Sequence, residues 1–292
     1  MAEKGFKTIR EQMDILKGRG LIIDDEKSAE SFLLRNNYYR ISGFSLTLRS
    51  NDVFHPGTTF QNIQDIYEFD HELRHILLRF IEVIEVTVKS VYAYEFTKRF
   101  GATGYLDSAN FVDCNKHGEI MDKANKQKES RRPHEAYLKH YIEDLKQDIP
   151  LWAFVDLLTI SDISFLYKIS DSDVKNSVAN GMGLNVNGAA LLERFMHSIT
   201  IIRNLCAHGS RLFNRLFEQK PSLKKDEQRL LIRKADGSID NAHLFGFILI
   251  MRRLLKEEEF NELKQDIIKL GEKYPFVGMR YYGFPSGWEH RV

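Results

Sequence analysis

The chain has 292 residues, 43% of them hydrophobic and 12% aromatic, enough apolar material to bury a sizeable core without disulfide or metal staples. Lysine and arginine (42) almost balance aspartate and glutamate (41), and the net charge of +1 excludes a general polycationic coat for nucleic acid. Cys114 and Cys206 lie far apart in sequence and fit a reducing compartment better than a disulfide framework. Residues 1–20 are charged and periodic rather than leader-like. The longest apolar run, 244–251, is too short to cross a bilayer, so a cytoplasmic protein with no membrane role is expected.

In chain order, a helix is predicted at 7–17 from Ile9, Met13, Ile15 and Leu16, ending at Gly18, and Asp24 and Asp25 cap a second that runs to about 36. Residues 44–48 alternate too briefly for more than a short strand or turn. The longest pattern is 60–100, where Ile66, Phe69, Leu73, Leu77, Phe80, Ile84, Val88 and Phe96 recur every three or four residues until Gly101 and Gly104. That segment is expected to be the spine of a bundle. Residues 116–140 are polar, net basic and punctuated by proline. Their Lys123, Lys126, Lys128, Arg131 and Arg132 suit either an RNA-gripping loop or an ordinary solvated linker. After Pro150 come an apolar helix at 151–158 and a shorter one near 161–167. Gly181, Gly183 and Gly188 follow no strand of a βαβ unit, so they do not read as a nucleotide loop. Helices are expected at 191–216 and at 241–273, before an aromatic, glycine-rich tail at 274–288. The fold class is all-α, with an N-terminal helical extension (1–57) and a bundle (58–292) carrying a basic insert near 114–140.

Two motifs compete for the chemistry. His71-Glu72-Leu73-Arg74-His75 matches H-E-x-x-H, which on a helix puts two imidazoles on one face for zinc, with Glu72 as base and Glu95 as a third ligand, a metalloprotease arrangement. The apolar spine passes through Leu73 and Leu77, however, and the two histidines also read as polar flank residues. The second motif is Arg203-Asn204-Leu205-Cys206-Ala207-His208. On a continuous helix Asn204, His208, Arg211 and Arg215 form one polar stripe, while Ile202, Leu205, Cys206, Leu212, Phe213 and Leu216 face the core. Imidazole titrates near neutral pH and guanidinium matches a phosphate bidentately, so the cluster can hold a phosphodiester and move its protons. Arg211, Asn214 and Arg215 are candidate phosphate contacts. A solvated helix face is the plainer reading.

That segment resembles the Arg-Asn-x3-His signature of the HEPN superfamily of ribonucleases. Three further blocks resemble the AbiD/AbiF-like abortive-infection proteins of bacteria. They are Asn37-Tyr38-Tyr39-Arg40-Ile41-Ser42-Gly43-Phe44, then Tyr67-Glu68-Phe69-Asp70 with Leu73-Arg74 and 81–85, and last Gly283-Phe284-Pro285 with Trp288. The resemblance implies a HEPN-like helical bundle acting as a metal-independent endoribonuclease, with no cofactor. Arg203, Asn204 and His208 would be catalytic, the ribose 2′-hydroxyl would attack its own phosphate, and the ends would be a 2′,3′-cyclic phosphate and a 5′-hydroxyl. One histidine does not serve easily as both acid and base, so a homodimer that pairs two motifs is expected. The resemblance also implies control by a small non-coding RNA, which leaves a second function class: a non-catalytic RNA-binding module. Tyr38, Tyr39 and Arg40 could stack on bases, but are expected to pack the N-terminal extension onto the bundle, and Trp288 to anchor the tail.

Overall fold

A computed structural model describes residues 5–292; the first four residues of the expected N-terminal extension lie outside the described residues. The chain is all-α. It opens with α1 (Ile9–Gly18), α2 (Glu26–Asn36) and α3 (Tyr38–Ser42), then a small antiparallel hairpin of β1 (Arg49–Ser50) and β2 (Val53–Phe54). The spine is α4 (Phe60–Phe100), followed by α5 (Cys114–Arg131), α6 (Ala136–Lys139), α7 (Leu151–Phe154), α8 (Ile160–Ile169) and α9 (Ser172–Gly181). Next come α10 (Gly188–Ala207), α11 (Lys225–Gln228), α12 (Phe245–Leu254) and α13 (Glu257–Lys273). No helix among the described residues is long and apolar enough to cross a membrane.

The apolar spacing in α4 accounts for its 41 residues, about 60 Å at 1.5 Å per residue. Ile63, Ile66, Phe69, Leu73, Leu77, Phe80, Ile84, Val88 and Phe96 are all buried on the face that α10 and α13 cover. Its start is a reciprocal cap: Thr59 accepts from the Asn62 amide, while the Asn62 side chain accepts from the Thr59 amide. Gly101, at φ +81°, ends it. Thr59→Ala is expected to cost about 1 kcal/mol in a urea titration, since it orphans an amide at a helix start.

α13 lies antiparallel to α4, tied by Arg79 to Asp266 near one end and by Lys273 to Glu72 at the other. The N-terminal helices share the main core rather than standing apart. Phe32 meets Phe60 and Tyr67 edge-on at 5.9 and 5.2 Å, and Phe44 meets Tyr67 at 5.1 Å and stacks on Phe213 at 6.4 Å. Each such ring contributes roughly 1.5–3 kcal/mol by leaving water. Trp288 is buried against Phe245 and Phe284, anchoring the tail.

Three sequence expectations are corrected. The basic segment is not a loop: Asp113 caps α5, and His117, Ile120, Met121 and Ala124 bury one stripe against its neighbours. The helix expected at 241–273 breaks at Leu255 into α12 and α13, because Glu259 folds back onto the Lys256 amide and restarts the helix there. The helix expected at 151–158 is one α turn, α7, followed by a 3-10 turn at Val155–Leu157.

Candidate functional site

The Arg203–His208 segment sits at the C-terminal end of α10, which runs opposite to α4. Arg203 borders a groove along the C-terminal half of α4, whereas Leu212 and Phe213, farther on, meet Asp70 near its start. The helix expected at 191–216 stops at Ala207, with His208 as its cap residue. The physical reason is Gly209: at φ +64° it turns the chain, and the amides of Gly209 and Ser210 return to the carbonyls of Cys206 and Leu205 at 3.0 and 2.8 Å. The polar stripe therefore ends at His208. Arg211, Asn214 and Arg215 leave the helix, and Leu216, expected in the core, is exposed.

Arg203 and Asn204 lie near the end of α10, and His208 is its cap. Asn204 and His208 are exposed, Arg203 is partly buried, and its Nη1 donates to Asn204 Oδ1 at 3.3 Å. Cys206, one turn past Ile202, points into the core, where burial pushes its thiol up to about 12 and makes it inert.

The segment after His208 is held from three sides. Arg40 Nη2 donates to the Gly209 carbonyl, and its guanidinium lies 5.6 Å from the Tyr67 ring centroid. A cation on a carbonyl at a helix C-terminus satisfies an orphan acceptor and the helix dipole together. Gly43 permits the approach: a Cβ there would meet Arg211 Nε and the Arg40 carbonyl at 3.3 Å. From below, fully buried Asp70 accepts the amides of Leu212 (3.0 Å) and Phe213 (2.7 Å), the Tyr282 hydroxyl (3.2 Å), and Nη1 of Arg74, itself buried. Burial pushes the Asp70 carboxyl up to about 6, against the pull of Arg74 and of these hydrogen bonds. From the tail, the Tyr281 carbonyl accepts the Asn214 amide at 3.0 Å.

Asp70, Arg74, Arg40, Gly209 and Tyr282 are site-shaping residues that periodicity did not single out. All five lie in or next to the quoted sequence blocks, and the blocks converge on one loop. Arg211 is half buried, with its Nη1 on the Phe213 carbonyl at 2.7 Å, and desolvation lowers its pKa. Arg215 Nη1 lies 3.5 Å from the Arg211 carbonyl, and Asn214 is exposed at φ +48°.

The basic residues of α5 are mostly occupied. Lys123 pairs with Asp162 at 2.8 Å, Arg131 with Glu135 and the Asp156 carbonyl, and Arg132 with Glu143 and Glu129. Lys126 is exposed and Lys128 partly so. The H-E-x-x-H residues do not assemble a metal site. The His71 and His75 rings lie 4.4 Å apart, but Glu72 is held by Lys273 at 2.8 Å and Tyr274 at 2.6 Å, and Glu95 faces Lys98. Among the described residues no three His, Cys, Asp or Glu side chains are grouped to hold a metal ion.

The groove beside Arg203 has a volume of about 970 Å³ and is walled by Glu82, Glu85, Lys89 and Lys98, with Val86, Tyr94 and Trp152 exposed in it.

Neither the curated proteins nor the solved structures contain a match to this sequence. A family model described as Abi-like protein matches residues 31–214, well over half of the chain, from the middle of α2 to the end of the loop that Asp70 holds. A match of that extent, taking in Arg40, Asp70, Arg74 and the Arg203–His208 segment alike, makes the chain a member of the Abi-like protein family.

Proposed function

We propose that the chain is an abortive-infection protein that acts against phage as a metal-independent endoribonuclease of the HEPN type, on the AbiD/AbiF-like branch. The observation that carries this reading is the placement of a partly buried Arg203 with an exposed Asn204 and His208 at a helix end whose following loop is braced from three sides. RNA brings its own nucleophile. His208 moves a proton at the 2′-oxygen or the 5′-oxygen, Arg203 stabilises the non-bridging oxygens as charge builds, and Asn204 orients the phosphate or the imidazole. Each chain supplies one such imidazole, so two chains combine to give an acid and a base. The groove that Arg203 borders suits a second copy, because its exposed apolar residues lie among charges of both signs. The protein should then elute as a dimer in light-scattering chromatography.

Incubation with end-labelled RNA in excess chelator is expected to give 2′,3′-cyclic phosphate and 5′-hydroxyl ends. DNA of the same sequence is expected to survive, since it lacks the attacking hydroxyl. A requirement for added metal, or cleavage of DNA, overturns the assignment.

The single imidazole in each chain also favours a second reading, an RNA-binding module that grips a small regulatory RNA without cutting it. Lys126, Lys128, Arg211, Asn214 and Arg215 then add phosphate contacts, together with whatever Lys123, Arg131 and Arg132 contribute beyond their ion pairs. Binding without cleavage, weakening steeply as salt rises, selects this reading.

A further inference from the structure

We propose that Tyr39 is a substrate-binding residue whose ring stacks on an unpaired nucleobase beside the linkage held by Arg203 and His208. This makes single-stranded RNA the substrate class, and the inference rests on the nuclease reading of that site.

The residues on either side of Tyr39 are fixed. Tyr38 packs against the core, and Arg40 is tethered to the Gly209 carbonyl, the residue next to His208. Tyr39 between them is 87% exposed. It is not a loose end: Asn37, at φ +61°, accepts the Tyr39 amide at 2.8 Å, and the Tyr39 carbonyl accepts the Ser42 hydroxyl at 2.7 Å. A short helix pinned at both ends thus presents a bare aromatic ring on the residue before Arg40, whose guanidinium reaches the residue that follows His208. The sequence suggested that this ring would pack inward, and the exposed ring corrects that expectation.

An aromatic ring displayed on a fixed backbone has only two side-chain torsions to lose on binding, which makes it an economical stacking platform. The charge around it favours a polyanion. Arg40, Arg211 and Arg215 lie on or against the same loop, while the carboxylate among them, Asp70, is buried and already paired with Arg74. Bases in a duplex offer no free face to such a ring, whereas every unpaired base does.

The test uses the full-length chain carrying His208→Ala, so that RNA stays intact, with fluorescence anisotropy of a labelled single-stranded oligonucleotide and of a perfect hairpin of equal length. Adding Tyr39→Ala is expected to weaken single-strand binding roughly tenfold and to leave hairpin binding unmoved, while Tyr39→Trp restores it to within about twofold. The thermal midpoint should not move, since the ring is in water in the free protein. With His208 present, Tyr39→Ala is expected to raise KM by a similar factor. Single-strand affinity within twofold of the parent in Tyr39→Ala, or an equal loss on the hairpin, overturns the proposal. Cleavage that persists in His208→Ala defeats the nuclease reading but leaves the stacking result standing. A wild-type chain that binds no RNA overturns both.

Discussion

His208→Ala is expected to lower the cleavage rate by about 10²–10⁴-fold, the span typical of a lost general acid or base, without disturbing the fold. His208 caps α10 with its side chain exposed, so the substitution removes an imidazole and little packing. Its unfolding free energy from a urea titration should stay within about 0.5 kcal/mol of the parent, and its chromatographic mass should be unchanged. Arg203→Lys makes a sharper companion. It keeps the charge but loses the planar fork, so a large fall in cleavage with only modest loss of RNA affinity identifies a role in the transition state rather than simple attraction. Wild-type rates in both variants would remove the site from the chemistry altogether.

The second large effect concerns stability. Asp70→Ala is expected to cost about 3–5 kcal/mol, because it strands the Arg74 guanidinium and the Leu212 and Phe213 amides where water does not reach. A denaturant titration reads this directly, with Asp70→Asn as the milder case: its amide oxygen still accepts from the loop, but its NH2 group faces Arg74. The pH dependence carries a definite sign. Burial raises the folded carboxyl to about 6 from the ordinary 3.8, so between those values the folded state holds the proton more tightly than the unfolded chain does. The contribution of this group therefore favours the fold most at the acid end of that window and declines as pH rises through about 6. The stability advantage of the parent over Asp70→Asn should shrink between about pH 4 and pH 6.5, and an advantage that grows with pH would contradict the assignment. Loss of the Asp70 brace should also lower cleavage in the fraction that folds, since the loop it holds begins one residue after His208.

What was legible in the sequence was local. The spine helix could be drawn from the spacing of Ile66 through Phe96, with its start before Phe60 and its stop at Gly101, because helix periodicity and glycine punctuation act within a few residues. The corrected helix end at His208 was also written locally, in Gly209, but polar residues at 211 and 215 kept the expected stripe going past it. The clasp was illegible for a different reason. Asp70 looks like any acid on a helix, and its partners stand 142 and 212 residues away, while Arg40 reaches across 169. Periodicity carries no information about such pairings. The H-E-x-x-H match failed in the same way, since the groups that occupy Glu72 arrive from Lys273 and Tyr274. Arg203, Asn204 and His208 could be singled out because their chemistry is compact in sequence, whereas the groups that brace the loop after them are not.

The tail contacts of this loop have an evolutionary consequence. The shared family segment stops at Asn214, yet the backbone of Asn214 leans on Tyr281 and the carboxylate beneath it receives the hydroxyl of Tyr282. A gene fragment trimmed to the recognisable region would encode every residue proposed to cut RNA but would lack part of the scaffold that braces them. Recombination among these genes is thus expected to carry the stretch that encodes Tyr281 and Tyr282 together with the proximal one.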